Sequence, residues 1–349
     1  MKISTVIVIF LAVLVLLSLP KLSLAQSSDE TIKCLQWFRY VRFDTSEATQ
    51  SLTGTKGLLN VIPGSNYVHI ECIMFVSSNT VRTSFVSQTE YASAISKAHR
   101  AGYKVIFRIA IQPSTEYQPT NPATFFTSYT GQVRSWGQFC QQNGVESICI
   151  GVEMTQLEVT AYNTYWSTMI SELRKVYFGK VWYETNNWYL LSGTLDSLQQ
   201  KLSLTWFSKL DYIGVSTYFK MTTHNTPTVA ELKTNWHSYV GGGMSRADIV
   251  AQMEQISTKF GKKILIVSGL SSALGACQAP WQWTWTTQSL VEQTNWYEAL
   301  FQTFANKSWV AGFSFDNSWQ TRYNANFPIA FSVQNKPAAS VIRNWFSRM

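Results

Sequence analysis

Glu153 closes the run Ser147-Ile148-Cys149-Ile150-Gly151-Val152, an apolar stretch ending in a lone carboxylate. Such a run reads as a strand buried on both faces of a parallel sheet. A carboxylic acid at its end can protonate a glycosidic oxygen if apolar walls or a neighbouring negative charge raise its pKa. Cleavage of a glycosidic bond takes two carboxyl groups. They stand about 5–5.5 Å apart when the second is a nucleophile and about 6.5–9.5 Å apart when it activates water. The candidate partners are Asp316, in Phe313-Ser314-Phe315-Asp316-Asn317-Ser318-Trp319, then Glu184 after Val181-Trp182-Tyr183, and Glu71 inside Tyr67–Phe75. Each has a plainer use. Asp316 can cap a turn at a strand end. Glu71 can pair with Arg108 in a buried ion pair. Arg108 can hold a carboxylate with two parallel hydrogen bonds. Without a partner, Glu153 is left to hydrogen-bond ligand.

Sugar rings offer C–H faces that stack on flat aromatic surfaces, and this chain has 14 Trp, 16 Tyr and 20 Phe. Trp188, Tyr218, Trp281, Trp283, Trp285 and Trp319 fall at or after expected strand ends, where a cleft would open. Trp136, Trp166, Trp236 and Trp345 fall within expected helices and suit packing. Asn186, Asn187 and Gln278 can bond sugar hydroxyls or serve as turn residues.

The elements that must position these groups alternate along the chain. Strands are expected at Leu35–Val41, Tyr67–Phe75, Tyr103–Ile111, Ser147–Glu153, Val181–Glu184, Asp211–Tyr218, Lys263–Ser268 and Val310–Phe315. Helical patterns fall between them, including Leu195–Leu210 and Thr228–Phe260, the latter broken at Gly241-Gly242-Gly243. Gly102, Gly144 and Gly179 stop three of the helices. Eight strand–helix units without a linker predict an α/β chain folded as a single (β/α)8 TIM barrel. A doubly wound sheet would bring a Gly-rich phosphate loop after the first strand, and none is present. No cofactor is implied.

Residues 1–25 read as a signal peptide: Lys2, the apolar run Val6–Leu19, Pro20, and the small residues Ser23 and Ala25. The barrel then spans residues 26–349, and the protein is expected to be secreted with no membrane span. Charged residues make up only 14%, so the polar surface leans on Ser, Thr, Asn and Gln. The net charge of +8 falls to +6 without Lys2 and Lys21, and the basic residues are scattered. That pattern argues against a nucleic-acid partner. Asn306-Lys307-Ser308 is a glycosylation acceptor. Neither the five cysteines nor the four histidines have metal-ligand spacing. A bridge from Cys34 to Cys277 or Cys140 stays open.

Several segments, in order and at matching spacing, carry a family resemblance. They are Ala98-His99-Arg100-Ala101-Gly102-Tyr103-Lys104-Val105 and Gly144-Val145-Glu146 leading into Ser147–Met154. Trp182-Tyr183 with Asn187-Trp188, Leu210–Val215 with Tyr218-Phe219, Gly275-Ala276 with Pro280-Trp281, and Lys336–Ala339 with Val341-Ile342 complete the set. The chain resembles glycoside hydrolase family 113, β-mannanase barrels of the retaining-glycosidase clan. The resemblance implies that Glu153 is the acid/base and that a β-mannan-type glycan is the ligand. It also implies a nucleophile glutamate at the end of the seventh strand. The run Lys263-Ile264-Leu265-Ile266-Val267-Ser268-Gly269-Leu270 holds no acid there. Val267 occupies the position, or Ser268 with a one-residue shift. The expectation is a glycan-binding, degenerate glycosidase. The alternatives are an active β-glycosidase pairing Glu153 with Asp316 or Glu184, and an extracellular structural protein.

Overall fold

The computed structural model describes residues 30–37, 46–188, 197–239, 247–282, 286–319 and 329–349. The expected signal peptide, Trp283 and Trp285 lie outside these residues. Eight strands run in parallel: β1 Ile32–Trp37, β2 Tyr67–Ser77, β3 Lys104–Gln112, β4 Ser147–Val152, β5 Lys180–Thr185, β6 Tyr212–Ser216, β7 Lys263–Ser268 and β8 Val310–Trp319. Each pairs with the next, and β8 and β2 both pair with β1, so the sheet closes into a barrel. A short ninth strand, Thr80–Arg82, folds back antiparallel on the end of β2.

The strands close because they are apolar on both faces. Side chains alternate in direction along a strand. Ile32, Cys34, Ile106, Ala110, Cys149, Val152, Trp182, Tyr212, Leu265 and Val267 form one cluster inside the barrel. Their neighbours, such as Phe107, Ile148, Tyr183, Ile213 and Ile266, join the larger cluster beneath the helices. Gly214 on β6 makes room for Trp182 of β5, since a Cβ there would lie 2.4 Å from the indole.

The helices are α1 Ser46–Thr53, α2 Leu58–Val61, α3 Gln88–Arg100, α4 Pro122–Gln142, α5 Asn163–Arg174, α6 Leu198–Leu202, α7 Val229–His237, α8 Ile249–Phe260, α9 Leu290–Phe304 and α10 Pro337–Phe346. Ser87 with Glu90 and Thr228 with Glu231 start α3 and α7 as capping boxes. Among the described residues, no helix is long and apolar enough to cross a membrane.

One helical expectation changes. Leu195–Leu210 is not one helix: α6 stops at Leu202 and Thr205–Lys209 is a 3-10 turn. Trp206 drives this, stacking 4.6 Å from Trp166 and edge-on to Tyr183 at 5.0 Å. Tertiary packing of one indole outweighs the helical pattern. The broken pattern expected over Thr228–Phe260 is seen as α7 and α8, with Tyr239 bridged antiparallel to Ala247 between them; Gly241, Gly242 and Gly243 lie outside the described residues. The cysteine bridge left open is not formed, and all five cysteines are buried free thiols. Cys34 faces the barrel interior, whereas Cys140 and Cys277 belong to the outer layer.

Candidate active site

The carboxyl ends of the strands bring four acids and one arginine together. Arg108 on β3 is buried. Its Nε and Nη2 donate to the two oxygens of Glu184 on β5, at 2.8 and 2.7 Å. Nη2 also donates to Asp316 Oδ2 at 3.2 Å, and Nη1 to Glu71 Oε1 at 3.4 Å. The remaining oxygen of Glu71 accepts from Gln36 Nε2 at 2.8 Å, and Ser216 Oγ donates to Glu184 Oε1 at 2.7 Å. Tyr218 OH donates to Asp316 Oδ2 at 3.3 Å. Asp316 Oδ1 has no hydrogen-bond partner among the described residues and lies 3.8 Å from His69 Nε2. One cation thus faces Glu71, Glu184 and Asp316.

Glu153 stands just past the last residue of β4, partly exposed. Its backbone is left-handed, with φ of 48°, an uncommon conformation for a residue with a side chain. Its N–H donates to the Glu184 carbonyl at 2.8 Å. The pairing of β4 with β5 slips between Cys149 and Val152, so the strand end bends there. A buried support holds the bend. The Met154 N–H donates to Tyr183 OH at 2.9 Å, and that hydroxyl donates to Glu158 at 2.8 Å. Glu158 also takes Thr185 Oγ1 and Lys201 Nζ, each at 2.5 Å. Glu158 and Lys201 are both fully buried.

Burial, and then the charge of Glu184, raises the Glu153 carboxyl from 4.5 to about 7, while Ser216 and Arg108 oppose the shift. A carboxyl with that value is part protonated near neutrality, as a general acid requires. Asp316 is pushed well above the ordinary range, first by burial; Arg108 opposes this, while Glu184, Glu71 and Glu153 add to it. The net effect favours the neutral form of Asp316.

A stability consequence follows for Glu153. Its folded carboxyl binds a proton more tightly than the unfolded chain does. Stability therefore falls as pH rises from about 4.5 through about 7. Glu153→Gln removes this penalty. The variant is expected to be about 1–3 kcal/mol more stable than the parent at pH 8, allowing for partial exposure, and little changed at pH 4. Urea midpoints at the two pH values check this.

The expected sugar contacts divide. Tyr218 is at the mouth, and Trp281 is 41% exposed in the loop after β7. Two residues do not face a cleft. Trp188 is buried against Phe219 and donates from Nε1 to Gln252 on α8 at 2.7 Å. Trp319 is buried and donates to the Ser51 carbonyl on α1 at 2.7 Å. Asn187 is buried beside Asn186, to which its amide donates at 3.3 Å. Gln278 ties the β7 loop to Asn225 of the β6 loop at 2.6 Å. Asn306 is exposed in the turn after α9.

At the end of β7, Val267 points into the barrel, level with Ser216 of β6 and Ser314 of β8. Ser268 points the other way and accepts from Trp296 Nε1 on α9 at 3.1 Å. Gln36, Ser216, His69, Glu158 and Lys201 were not foreseen. Their signal in the sequence is slight: Gln36, His69 and Ser216 share the inward parity of their strands, while Glu158 and Lys201 meet across two loops. Among the described residues, no group of His, Cys, Asp and Glu could hold a metal ion.

The sequence model of Glycoside Hydrolase Family 113 matches residues 42–336. A solved complex of a GH113 β-1,4-mannanase is 22% identical, with a TM-score of 0.71 over 92% of this chain and 100% of its own. The GH113 β-mannanase AaManA from Alicyclobacillus acidocaldarius, in complex with ManMIm, is 20% identical, with a TM-score of 0.73 over 91% of this chain and 97% of its own. A GH5_18 protein from Streptomyces cattleya in complex with GlcNAc shares the barrel at 10% identity and a TM-score of 0.57, over 91% of this chain and 81% of its own. No curated protein matches significantly. At these identities the structural likeness speaks for the fold, and the family match speaks for descent: the chain belongs to glycoside hydrolase family 113.

Proposed function

We propose that this is a secreted, degenerate glycosidase that binds a β-mannan-type glycan at the barrel mouth and has lost double-displacement hydrolysis. The observation that carries the reading is Val267. It faces inward at the end of β7, where the family resemblance puts the nucleophile glutamate, and a valine forms no glycosyl ester. Ser268 cannot stand in, because its hydroxyl faces α9.

The displaced carboxylates are poor substitutes. Both Glu184 oxygens are held by Arg108, with Ser216 on one of them. Asp316 Oδ2 is already taken by Arg108 and Tyr218, and burial favours the neutral form of this carboxyl. Glu153 retains a value suited to proton donation, but it lacks a partner. Tyr218 and Trp281 stay partly exposed on the same face, which favours ligand contact over a purely structural barrel.

A glycan array on the secreted protein tests the reading, with β-1,4-mannan, galactomannan, cellulose and xylan fragments. Selective capture of the β-mannan set is expected, and no glycan captured above background would sink it. Trp281→Ala is expected to weaken binding to mannohexaose by about 1–3 kcal/mol, the scale of losing a large side-chain contact. Its melting temperature should hardly move, because an exposed side chain leaves no core cavity. Calorimetry beside a thermal melt checks both.

A further inference from the structure

Phe85 is 88% exposed, more than any other large hydrophobic side chain among the described residues. Its place in the fold is specific. It lies in the connection from β2 to α3, on the face of the barrel that carries Glu153. Its ring packs 4.7 Å from that of Phe75, tilted by 41°. Phe75 is partly exposed near the end of β2. It shares the parity of His69 and Glu71, so it stands on the same inward face as the carboxylate cluster. Four residues along a strand is about 13 Å, so the ring pair lies beyond the charged site, up the wall of the mouth. Phe178, also exposed, sits just before β5 at the opposite end of the barrel.

The Phe85 loop is held on both sides. Tyr117 OH donates to the Ser78 carbonyl at 2.7 Å, and Asn79 bonds Thr120 Oγ1 and the Asn121 N–H at 2.8 and 2.9 Å. The Val81 N–H donates to Ser128 Oγ at 2.9 Å. Beyond the hairpin, Ser84 Oγ accepts from the Val86 N–H at 3.2 Å and lies 3.1 Å from Tyr91 OH. An aromatic ring on an anchored loop forgoes burial unless something covers it.

We infer that Phe75 and Phe85 form an outer stacking subsite for one sugar ring of the polymer that enters the mouth. The inference rests on the glycan-binding reading and adds a place and a length to it. Trp281 lies in the β7 loop, and β7 is separated from β2 only by β8 and β1 around the ring. A chain lying across the mouth meets an exposed aromatic at each end. Phenylalanine has no polar handle, so this subsite grips by ring-face contact without selecting a hydroxyl pattern. Its contribution appears only with ligands long enough to reach past the Arg108 cluster.

The test is calorimetric titration of β-1,4-mannotriose and mannohexaose into the parent protein, Phe85→Ala and Phe85→Trp, with sedimentation velocity on each. Phe85→Ala should bind hexaose roughly tenfold more weakly and bind triose as the parent does, while Phe85→Trp restores hexaose affinity. Hexaose affinity unchanged by Phe85→Ala overturns the subsite. So does a change of association state in Phe85→Ala with glycan binding intact, which would make the patch a contact between copies of this chain. A parent protein that binds neither oligosaccharide overturns the glycan-binding reading itself, and the subsite with it.

Discussion

Val267→Glu is expected to switch on hydrolysis of mannohexaose, raising turnover over the parent protein by about a hundredfold or more, ~2.7 kcal/mol of barrel-mouth chemistry. The side chain already points into the barrel at the end of β7. Its register neighbours are Ser216 and Ser314, two small residues that leave the longer carboxylate room to rise toward the mouth. With its carboxyl pushed up to about 7 by burial and Glu184, Glu153 is suited to donate a proton. A new carboxylate supplies the nucleophile and adds a negative charge that favours the protonated acid further. The companion variant Ser268→Glu should give no gain. It drives a charge toward α9 and removes the hydroxyl that Trp296 bonds, so it is expected to cost about 1–3 kcal/mol of stability. Reducing-end assays on both variants, after a thermal melt confirms folding, separate these outcomes. Folded Val267→Glu protein that binds mannohexaose without cleaving it would count against the loss of a single nucleophile.

The second large effect is on stability. Arg108→Met leaves Glu71, Glu184 and Asp316 buried together without the guanidinium that faces all three. Removing one partner of a buried ionic cluster strands the others, at about 3–5 kcal/mol. Urea unfolding of the parent and the variant at pH 7 measures it. A loss under about 1 kcal/mol would mean that the cluster does not depend on the charge of Arg108.

Much of this architecture is legible in the chain because the parallel barrel imposes it. Strands such as Lys104–Gln112 and Ser147–Val152 must be apolar on both faces, so Arg108 and the acid after Val152 stand out against them. The register of β7 is ambiguous by one residue in the sequence. The period-two alternation of a real strand resolves it, sending Val267 inward and Ser268 outward. Trp188 and Trp319 show where such reading stops. Both follow strand ends, yet their side chains turn toward α8 and α1, since direction past a strand end depends on local bends. The left-handed backbone of Glu153 has no local signal, because glutamate does not favour it. Glu158 and Lys201 lie 43 residues apart in the chain and meet only after β4, β5 and α6 have packed.

The parent protein is expected to bind β-mannan fragments without cleaving them, and one nuclear magnetic resonance time course reads both halves. Mannohexaose is incubated with stoichiometric parent protein at pH 6, and its anomeric signals are followed for days. Broadened or shifted hexaose signals with no new reducing ends are the predicted result. New reducing ends would mean that the parent protein still cleaves the chain. Their first-formed anomer would name the mechanism: retention of configuration would mean that a nucleophile other than residue 267 is at work, and inversion would mean that a second carboxylate, such as Asp316, activates water.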